Sequence, residues 1–242
     1  MKTIPSDCTQ CPTRLACITS RLSPSELVAI DPVIRRRKVP RGSTLVTEGE
    51  VATKITVLQD GIAFGSHVGV DGRSRAIGIA SRGDAFGLFG VFGQPAQVSA
   101  TAAALALVCE IPVRALAQVA AQNPTFSQYL TRAAVRSCGQ IAAWSEAMRV
   151  RGIQNQLAYT LLLLAEAQDT SMIELPTHVA LGELLGTTRE SVARGFAVLE
   201  EEGSIVRCSA KRCEIRRELL LQRLDRAAGE TTAVTASGFA AL

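Results

Sequence analysis

The sequence has little of several features that would each indicate a class of protein. It holds only two histidines among 242 residues, so a zinc site built mainly from imidazoles has few candidate ligands. No stretch approaches the roughly 18 consecutive apolar residues of a membrane-spanning helix, and the start, M-K-T-I-P-S-D-C, lacks the apolar run of a secretory leader. We recognise no phosphate-binding loop and no paired nucleophile and base. These absences predict a cytoplasmic protein without membrane attachment that is not an enzyme.

The composition indicates a globular chain with two modest cores, because 47% of the residues are apolar and only 20% are charged. A formal net charge of +4 is too small to indicate a nucleic-acid partner, although basic residues cluster at 35–41 and 207–217. Seven cysteines are an odd number for an extracellular disulfide framework. A reducing compartment and metal-ligating thiols fit this number better.

Four of the cysteines form a candidate metal or iron-sulfur site. Cys8, Cys11 and Cys17 have the spacing C-x2-C-x5-C, and Cys109 lies far downstream in V-C-E-I-P. Thiolates are soft ligands, and four of them complete a tetrahedral zinc site or hold a cubane cluster. Both an iron-sulfur cluster and a structural zinc ion therefore fit the ligand set.

Between residues 23 and 112, short apolar runs alternate with turns such as Asp60-Gly61 and Asp71-Gly72. Short strands at this spacing are typical of an antiparallel sandwich, barrel or jelly roll. The alanine-rich stretch 100–106 gives weaker support for a strand, because alanine is depleted in sheets. The runs are Thr44 to Val46, Ile55 to Leu58, Ile62 to Phe64, Ala76 to Ile79 and Leu105 to Ile111.

After Asn123-Pro124 the apolar spacing changes to steps of three and four, which predicts one long helix that pairs with a second copy of the chain. Its predicted dimer residues are Phe126, Leu130, Ser137, Ile141, Trp144 and Met148. A stricter heptad through Ala134, Cys138, Ile141, Ser145 and Met148 also fits, as does an ordinary amphipathic helix packed on its own domain. Gly152 is expected to interrupt the helix before a second one over 153–167.

The segment from Thr177 to Gly203 has the layout of a helix-turn-helix, with the turn at Gly186. The second helix is predicted to read the major groove, where arginine can bind guanine and glutamate can accept from cytosine. An alternative is a capping box, Thr187-x-x-Glu190, with Arg194 paired to Glu190 on a solvated face. The candidate DNA-binding residues are Thr188, Arg189, Glu190, Ala193 and Arg194.

Residues 204–216 then predict a hairpin wing, with basic side chains suited to phosphate contacts. Cys208 and Cys213 flank the loop S-A-K-R and could face each other across this hairpin. A disulfide there is the minority hypothesis, because a cytosolic poise keeps most such pairs reduced.

The chain resembles the CRP/FNR family of bacterial transcription regulators, and its first half resembles most of all the FNR branch. Four motifs in this order carry the resemblance: C-x2-C-x5-C, R-G-D-A-F-G at 82–87, V-C-E-I-P, and L-G-T-T-R-E-S-V-A-R at 185–194. The resemblance implies an α+β fold. Its parts would be a cysteine-bearing arm (1–22), an antiparallel β-roll or jelly-roll sensory domain (23–122), a dimerisation helix (123–150) and a winged helix-turn-helix (151–228), followed by a disordered tail (229–242).

The resemblance also implies function. A [4Fe-4S] cluster that is labile to oxygen or nitric oxide would be held by Cys8, Cys11, Cys17 and Cys109. The homodimer would bind a palindromic site in double-stranded DNA and act on RNA polymerase as an activator or repressor.

Two departures qualify the resemblance. Where the cyclic-nucleotide branch has a glutamate after glycine and an Arg-Ser pair, this chain has Gly87-Leu88 and Val98-Ser99, so no arginine would meet a cyclic phosphate. The FNR pattern E-x-x-S-R becomes Glu190-x-x-Ala193-Arg194, while Arg189 resembles the catabolite activator branch. The half-site is therefore expected to be closer to TGTGA than to TTGAT.

Overall fold

The computed structural model describes residues 7–229, which fall into two compact units that meet in sequence at Cys138 and Gly139. Residues 230–242, which include nearly all of the predicted tail, lie outside the described residues. Within 7–229, no helix is both long enough and apolar enough to cross a membrane. The elements in chain order are α1 (Pro24–Ile30), β1 (Arg35–Val39), β2 (Thr44–Val46), β3 (Lys54–Asp60), β4 (Ala63–Val68), β5 (Ser74–Ala80), β6 (Ala85–Phe86), β7 (Ser99–Ala102), β8 (Ala106–Pro112), α2 (Val113–Gln122), α3 (Pro124–Arg149), α4 (Ile153–Gln168), β9 (Met172–Glu174), α5 (His178–Leu185), α6 (Arg189–Glu201), β10 (Ile205–Ser209), β11 (Arg212–Ile215) and α7 (Arg217–Gly229).

The first unit contains two four-stranded antiparallel sheets, in the orders β1-β8-β3-β6 and β2-β7-β4-β5. This confirms the predicted antiparallel β-roll, and all five apolar runs fall in or overlap strands. The alanine-rich stretch divides: β7 ends at Ala102, a bend follows, and β8 begins at Ala106. The basic run 35–41 contributes a strand that the sequence pattern did not indicate, since β1 pairs with β8.

Strand β8 is buried on both of its faces, which explains why its sequence is continuously apolar rather than alternating. On one face, Val108 packs with Val39 and Leu58 and with residues of the other sheet, such as Ala63. On the opposite face, Cys109 joins a second core together with the N-terminal arm, α1, α2 and the start of α3. The sheet therefore carries a roll core on one side and the cysteine arm on the other.

Two helices of the first unit were not predicted. Helix α1 begins with a capping box, because the Ser23 side chain accepts from the Glu26 amide while the Glu26 carboxylate accepts from the Ser23 amide, and Pro24 occupies the first helical position. The S-P-S-E sequence carries this start signal. Helix α2 follows β8 directly and buries Leu116.

The long helix α3 covers 26 residues, and the Asn123 side chain accepts from the Phe126 amide at its start. It ends at Arg149, and Gly152, whose φ of 86° suits glycine, precedes α4. The predicted interruption at Gly152 is therefore confirmed.

The second unit has the winged-helix architecture that the sequence predicts. Helix α4 packs against α6 and α7, and α5 packs against α6. The hairpin β10-β11 forms a three-stranded sheet with β9. Helices α5 and α6 correspond to the two helices of the predicted helix-turn-helix.

Candidate cysteine site and DNA-reading surface

The N-terminal arm, residues 7–22, consists of turns and short 3-10 helices rather than strands or α-helix. Cys8 and Cys17 are buried, Cys11 is half-buried, and Cys109 projects from β8 into the same core as Cys8 and Cys17. The fold thus brings a residue from a distant strand to a segment about a hundred positions earlier in the chain.

The thiols of Cys8 and Cys109 have strongly raised pKa values. Burial raises the pKa of Cys109 to about 12, and negative charge on Cys17, Cys11 and Cys8 also raises it, against the opposing effect of Arg36. Burial likewise raises the pKa of Cys8 to about 12, with Asp31 adding to the effect and Arg36 opposing it. The thiols of Cys8 and Cys109 are therefore neutral near neutral pH unless a cation stabilises their thiolates.

The donor chemistry of these residues fits a group that takes four thiolates, since Cys8, Cys17 and Cys109 share one core and Cys11 is half-buried in the same arm. No group of three or more His, Cys, Asp or Glu side chains in residues 7–229 is arranged closely enough to hold a metal ion as it stands.

Side chains of the sheet hold the arm in place. The Thr13 hydroxyl donates to the Gln59 carbonyl over 2.7 Å, and Arg82 Nε donates to Thr13 Oγ1 over 3.0 Å. At Gly83, whose φ is +96°, a Cβ atom would lie 2.8 Å from the Ala16 carbonyl oxygen, so only glycine permits this close approach. Arg82 and Gly83 belong to the R-G-D-A-F-G motif, whose contact with the arm the sequence analysis did not find.

The stretches that depart from the cyclic-nucleotide pattern have ordinary structural roles. Leu88 is buried in the core that contains the cysteines. Ser99 Oγ accepts from the Glu48 amide over 3.0 Å. Neither stretch supplies a cation for a phosphate.

Arg36 and Arg37, in the basic run of β1, have acidic partners within their own unit. Arg36 pairs with Asp31, and Arg37 donates to Glu110 through both Nε and Nη2. Lys54 also donates to Glu110. At least these cations are therefore engaged within the chain.

Helix α6 presents the predicted DNA-binding residues to solvent. Thr188, Arg189, Glu190, Ala193 and Arg194 are all exposed, while the opposite face of the helix buries Val192, Phe196 and Leu199. An exposed N-terminal half with two arginines is the surface that a major-groove reading helix requires.

The capping alternative does not describe this helix. Its N-cap is Thr188 rather than Thr187, and the Thr188 side chain accepts from the Ser191 amide. Glu190 therefore falls one position short of the place that a capping box requires. Arg194 donates to Ser191 Oγ over 3.0 Å.

The turn between α5 and α6 depends on two glycines, of which the sequence analysis identified one. Gly186, with φ of 63°, ends α5 as predicted. Gly182 lies within α5, where a Cβ atom would be 2.8 Å from the Thr187 carbonyl oxygen. The close approach of helix and turn therefore requires glycine at position 182.

The wing carries exposed basic residues at its tip, and one of its arginines also packs. Lys211 and Arg212 are exposed, whereas the Arg207 guanidinium lies 5.4 Å from the centre of the Phe196 ring. Cys208 and Cys213 are both free thiols, Cys208 exposed and Cys213 buried. Cys213 pairs in register with Arg207, so the predicted facing of the two cysteines is wrong.

The predicted dimer residues of α3 require a correction. Phe126 and Leu130 are 0% and 1% exposed and belong to the core that contains the cysteines, so their side chains pack within one chain. Trp144 is also buried, at 2%. Ser137, Ile141 and Met148 are half-buried. The apolar spacing was real, but at its N-terminal end it marks the core of the chain rather than a surface for a second copy.

Comparisons with known proteins agree with this architecture. Residues 36–123 match the cyclic nucleotide-binding domain, and residues 155–224 match the Crp-like helix-turn-helix domain. Several relatives bear names that refer to cyclic AMP.

Two curated relatives align over most of their length. The nitrogen fixation regulation protein FixK of Bradyrhizobium diazoefficiens is 26% identical over 82% of this chain and 85% of its own. The transcriptional activator protein FnrA of Stutzerimonas stutzeri is 24% identical over 83% of this chain and 87% of its own.

The solved structure of FixK2 from Bradyrhizobium japonicum superposes with a TM-score of 0.63 at 21% identity, covering 78% of this chain and 96% of that one. This likeness supports the fold. With the β-roll, the exposed reading helix and both domain matches in place, the chain is a member of the CRP/FNR family of DNA-binding transcription regulators.

Proposed function

We propose that this regulator is switched by a [4Fe-4S] cluster held by Cys8, Cys11, Cys17 and Cys109, and that it binds a palindromic DNA site as a homodimer to control RNA polymerase. The observation that carries the proposal is that Cys8 and Cys17 of the arm share one core with Cys109 of β8, with Cys11 half-buried in the same arm.

The cluster would supply a group whose four thiolate bonds tie the arm to the sheet and whose loss on oxidation breaks that tie. The protein supplies the arm's other attachments, which include Thr13 on the Gln59 carbonyl, Arg82 on Thr13, the Cys8 amide on Asp31, and the packing of arm side chains in the core. Without the four thiolate bonds, only such noncovalent contacts hold the arm against its conformational entropy.

The arm is coupled to α3 because residues of both pack in the same core. Cys8, Cys17 and Leu22 lie in one core with Phe126 and Leu130 of α3. Release of the arm exposes this core and changes the support of the first turns of α3. The proposed switch thus uses an order-disorder change of the arm as its two-state element.

A second copy would contact the part of α3 that the chain leaves open. Val135 is 67% exposed, and Cys138, nearly one turn further, is also exposed. A two-fold dimer places two reading helices about one turn of DNA apart, which predicts a palindromic operator.

The test is DNA affinity before and after air. The protein is purified without oxygen, and its binding to a palindrome of TGTGA half-sites is followed by fluorescence anisotropy. Exposure to air should weaken binding about 5–150-fold, the usual range of allosteric coupling. Cys109→Ser should show the weaker affinity before any air is admitted. Equal affinity in all three samples would contradict the proposal, and a colourless protein with bound zinc would replace the iron-sulfur cluster by a structural zinc site.

A further inference from the structure

We propose that Arg36, Gln59 and Thr19 are positioning residues that set the oxidative stability of the cluster, each by donating a hydrogen bond to the sulfur of one arm cysteine. The inference rests on the proposed function, because it assigns a role toward the group that those cysteines would hold. It concerns how easily the switch is triggered rather than whether it exists.

Each arm cysteine has its own donor. Arg36 Nη2 lies 3.2 Å from Cys8 Sγ, and Gln59 Nε2 lies 3.4 Å from Cys11 Sγ. The third donor is local, since Thr19 Oγ1 lies 3.3 Å from Cys17 Sγ. These are hydrogen-bond distances for sulfur, which is a larger acceptor than oxygen.

Gln59 is the most informative of the three donors. It lies on β3 and is only 5% exposed, and its Oε1 atom has no hydrogen-bond partner in the described chain. A buried amide that leaves one atom unpartnered destabilises the fold relative to an apolar side chain of the same size. In the part of the chain that the structure describes, the hydrogen-bond partner of this amide is Cys11. The Gln59 side-chain amide therefore hydrogen-bonds to the cysteine and not to the sheet.

Arg36 is held so that its guanidinium faces sulfur. Its side chain is 10% exposed and donates to Asp31 Oδ1, and the same oxygen accepts from the Cys8 amide over 2.9 Å. Asp31 thus fixes both the arginine and the backbone of the cysteine that the arginine contacts. Arg36 comes from the basic run whose purpose the sequence analysis left open.

Thr19 completes the set from within the arm. It is 1% exposed, and its hydroxyl, the smallest of the three donors, reaches Cys17 two residues earlier. A buried threonine could be replaced by valine with little change of shape, which makes its hydroxyl easy to test separately.

Hydrogen bonds to a ligating sulfur withdraw electron density from it, so they favour the charged thiolate and oppose oxidation of the bound cluster. Removing one donor should therefore lower the reduction potential and speed the loss of the cluster in air. Replacing a residue that hydrogen-bonds to a metal ligand typically changes metal affinity or activity by about 10–100-fold. For the loss of one neutral donor, we expect a change in the bleaching rate at the low end of this range.

The experiment compares Gln59→Leu and Thr19→Val with wild type and with Thr56→Val. Thr56 is the matched control, because it is 1% exposed on the same strand as Gln59 but its hydroxyl donates to the Leu45 carbonyl rather than to a cysteine. The backbone bond from Thr13 to Gln59 remains in Gln59→Leu. Each protein is purified without oxygen, checked by circular dichroism, and assayed for iron, reduction midpoint and the rate of bleaching in air.

We expect Gln59→Leu to bleach about tenfold faster than wild type and Thr19→Val a few-fold faster, both with a lower midpoint, while Thr56→Val matches wild type. If Gln59→Leu does not fold, Thr19→Val decides the matter alone. A wild type that holds iron while both variants keep its bleaching rate and midpoint would overturn this inference and leave the proposed function standing. A wild type that holds no iron would overturn both.

Discussion

The two units of this protein differ in how they present their functional side chains. In the first unit, Cys8, Cys17 and Cys109 are buried, and the arm cysteines already have hydrogen-bond donors from the same unit. In the second unit, Arg189, Glu190 and Arg194 are exposed on α6. Buried, partnered groups suit a resident group that the protein must retain, whereas exposed groups suit a ligand that comes and goes. The comparison implies that the two functions can be broken separately.

The largest expected effect is the loss of iron from the first unit when one thiol is removed, while the second unit is unaffected. Cys109→Ser should lose nearly all of the iron, because the three thiolates of the arm lack the fourth ligand on the sheet. The second unit should keep its fold, since Cys109 packs within a core of the first unit. Iron analysis and circular dichroism check this prediction. Cys138→Ser, which changes an exposed cysteine outside the cluster, should keep its iron.

A second prediction tests whether the apolar residues at the start of α3 belong to the core of the chain or to a dimer interface. Phe126→Ala should lower the free energy of unfolding by about 3–5 kcal/mol, because it empties a fully buried place beside the arm. Urea unfolding measures this loss. The control is Val28→Ala on α1, where the side chain is 70% exposed and the change should stay within about 0.5 kcal/mol. If Phe126→Ala instead left stability unchanged and only prevented self-association, Phe126 would belong to the dimer interface after all.

A third prediction concerns the exposed surface of the second unit. Arg194→Ala should weaken binding to the palindromic site by about 1–3 kcal/mol, the usual contribution of an arginine that reads guanine, and should leave iron content unchanged. Anisotropy titrations on the palindrome and on a scrambled duplex measure this difference. Arg132→Ala is the control, because Arg132 is exposed on α3, outside the reading helix. Equal losses for both variants would mean that Arg194 contributes only general charge.

The smallest expected effect is a dependence of stability on pH in the second unit. His178 stacks on Phe196 with ring centres 5.0 Å apart, and its pKa lies below the ordinary 6.5 because of burial first and then of the nearby Arg207 and Arg189. Unfolded chains therefore bind the proton more readily, so the contribution of neutral His178 is complete above pH 6.5 and declines as the pH falls below it.

This pH effect can be followed through Trp144, the single tryptophan, which lies in the second unit. Fluorescence-detected urea unfolding should show lower stability at about pH 5.5 than at about pH 7.5, and His178→Gln should reduce that difference. An unchanged difference in the variant would assign the pH dependence to other groups.

The contrast between the units also explains which features could be predicted from sequence. The helix-turn-helix is local, so the turn at Gly186, the buried spacing of Val192, Phe196 and Leu199, and the exposed Arg189 all follow from some fifteen residues. Five strands of the roll were predicted for the same reason, because each apolar run lies between turns, whereas the basic strand β1 was not.

The surroundings of the cysteines could not be predicted in this way. Gln59 gives no sign in the sequence that it faces Cys11, since the two are 48 positions apart and a lone glutamine in a strand usually faces solvent. The error at Phe126 and Leu130 has a related cause. A helix face that packs on its own sheet and one that packs on a second copy have the same apolar period, and only the tertiary structure distinguishes them.

The measurement that tests the account most directly is an anaerobic purification followed by an absorption spectrum and by iron and sulfide analysis, before and after air. The account predicts a brown protein that absorbs near roughly 400 nm, holds about four irons and four sulfides per chain, and bleaches in air. A colourless protein without iron, whether or not it holds zinc, would contradict the proposed switch.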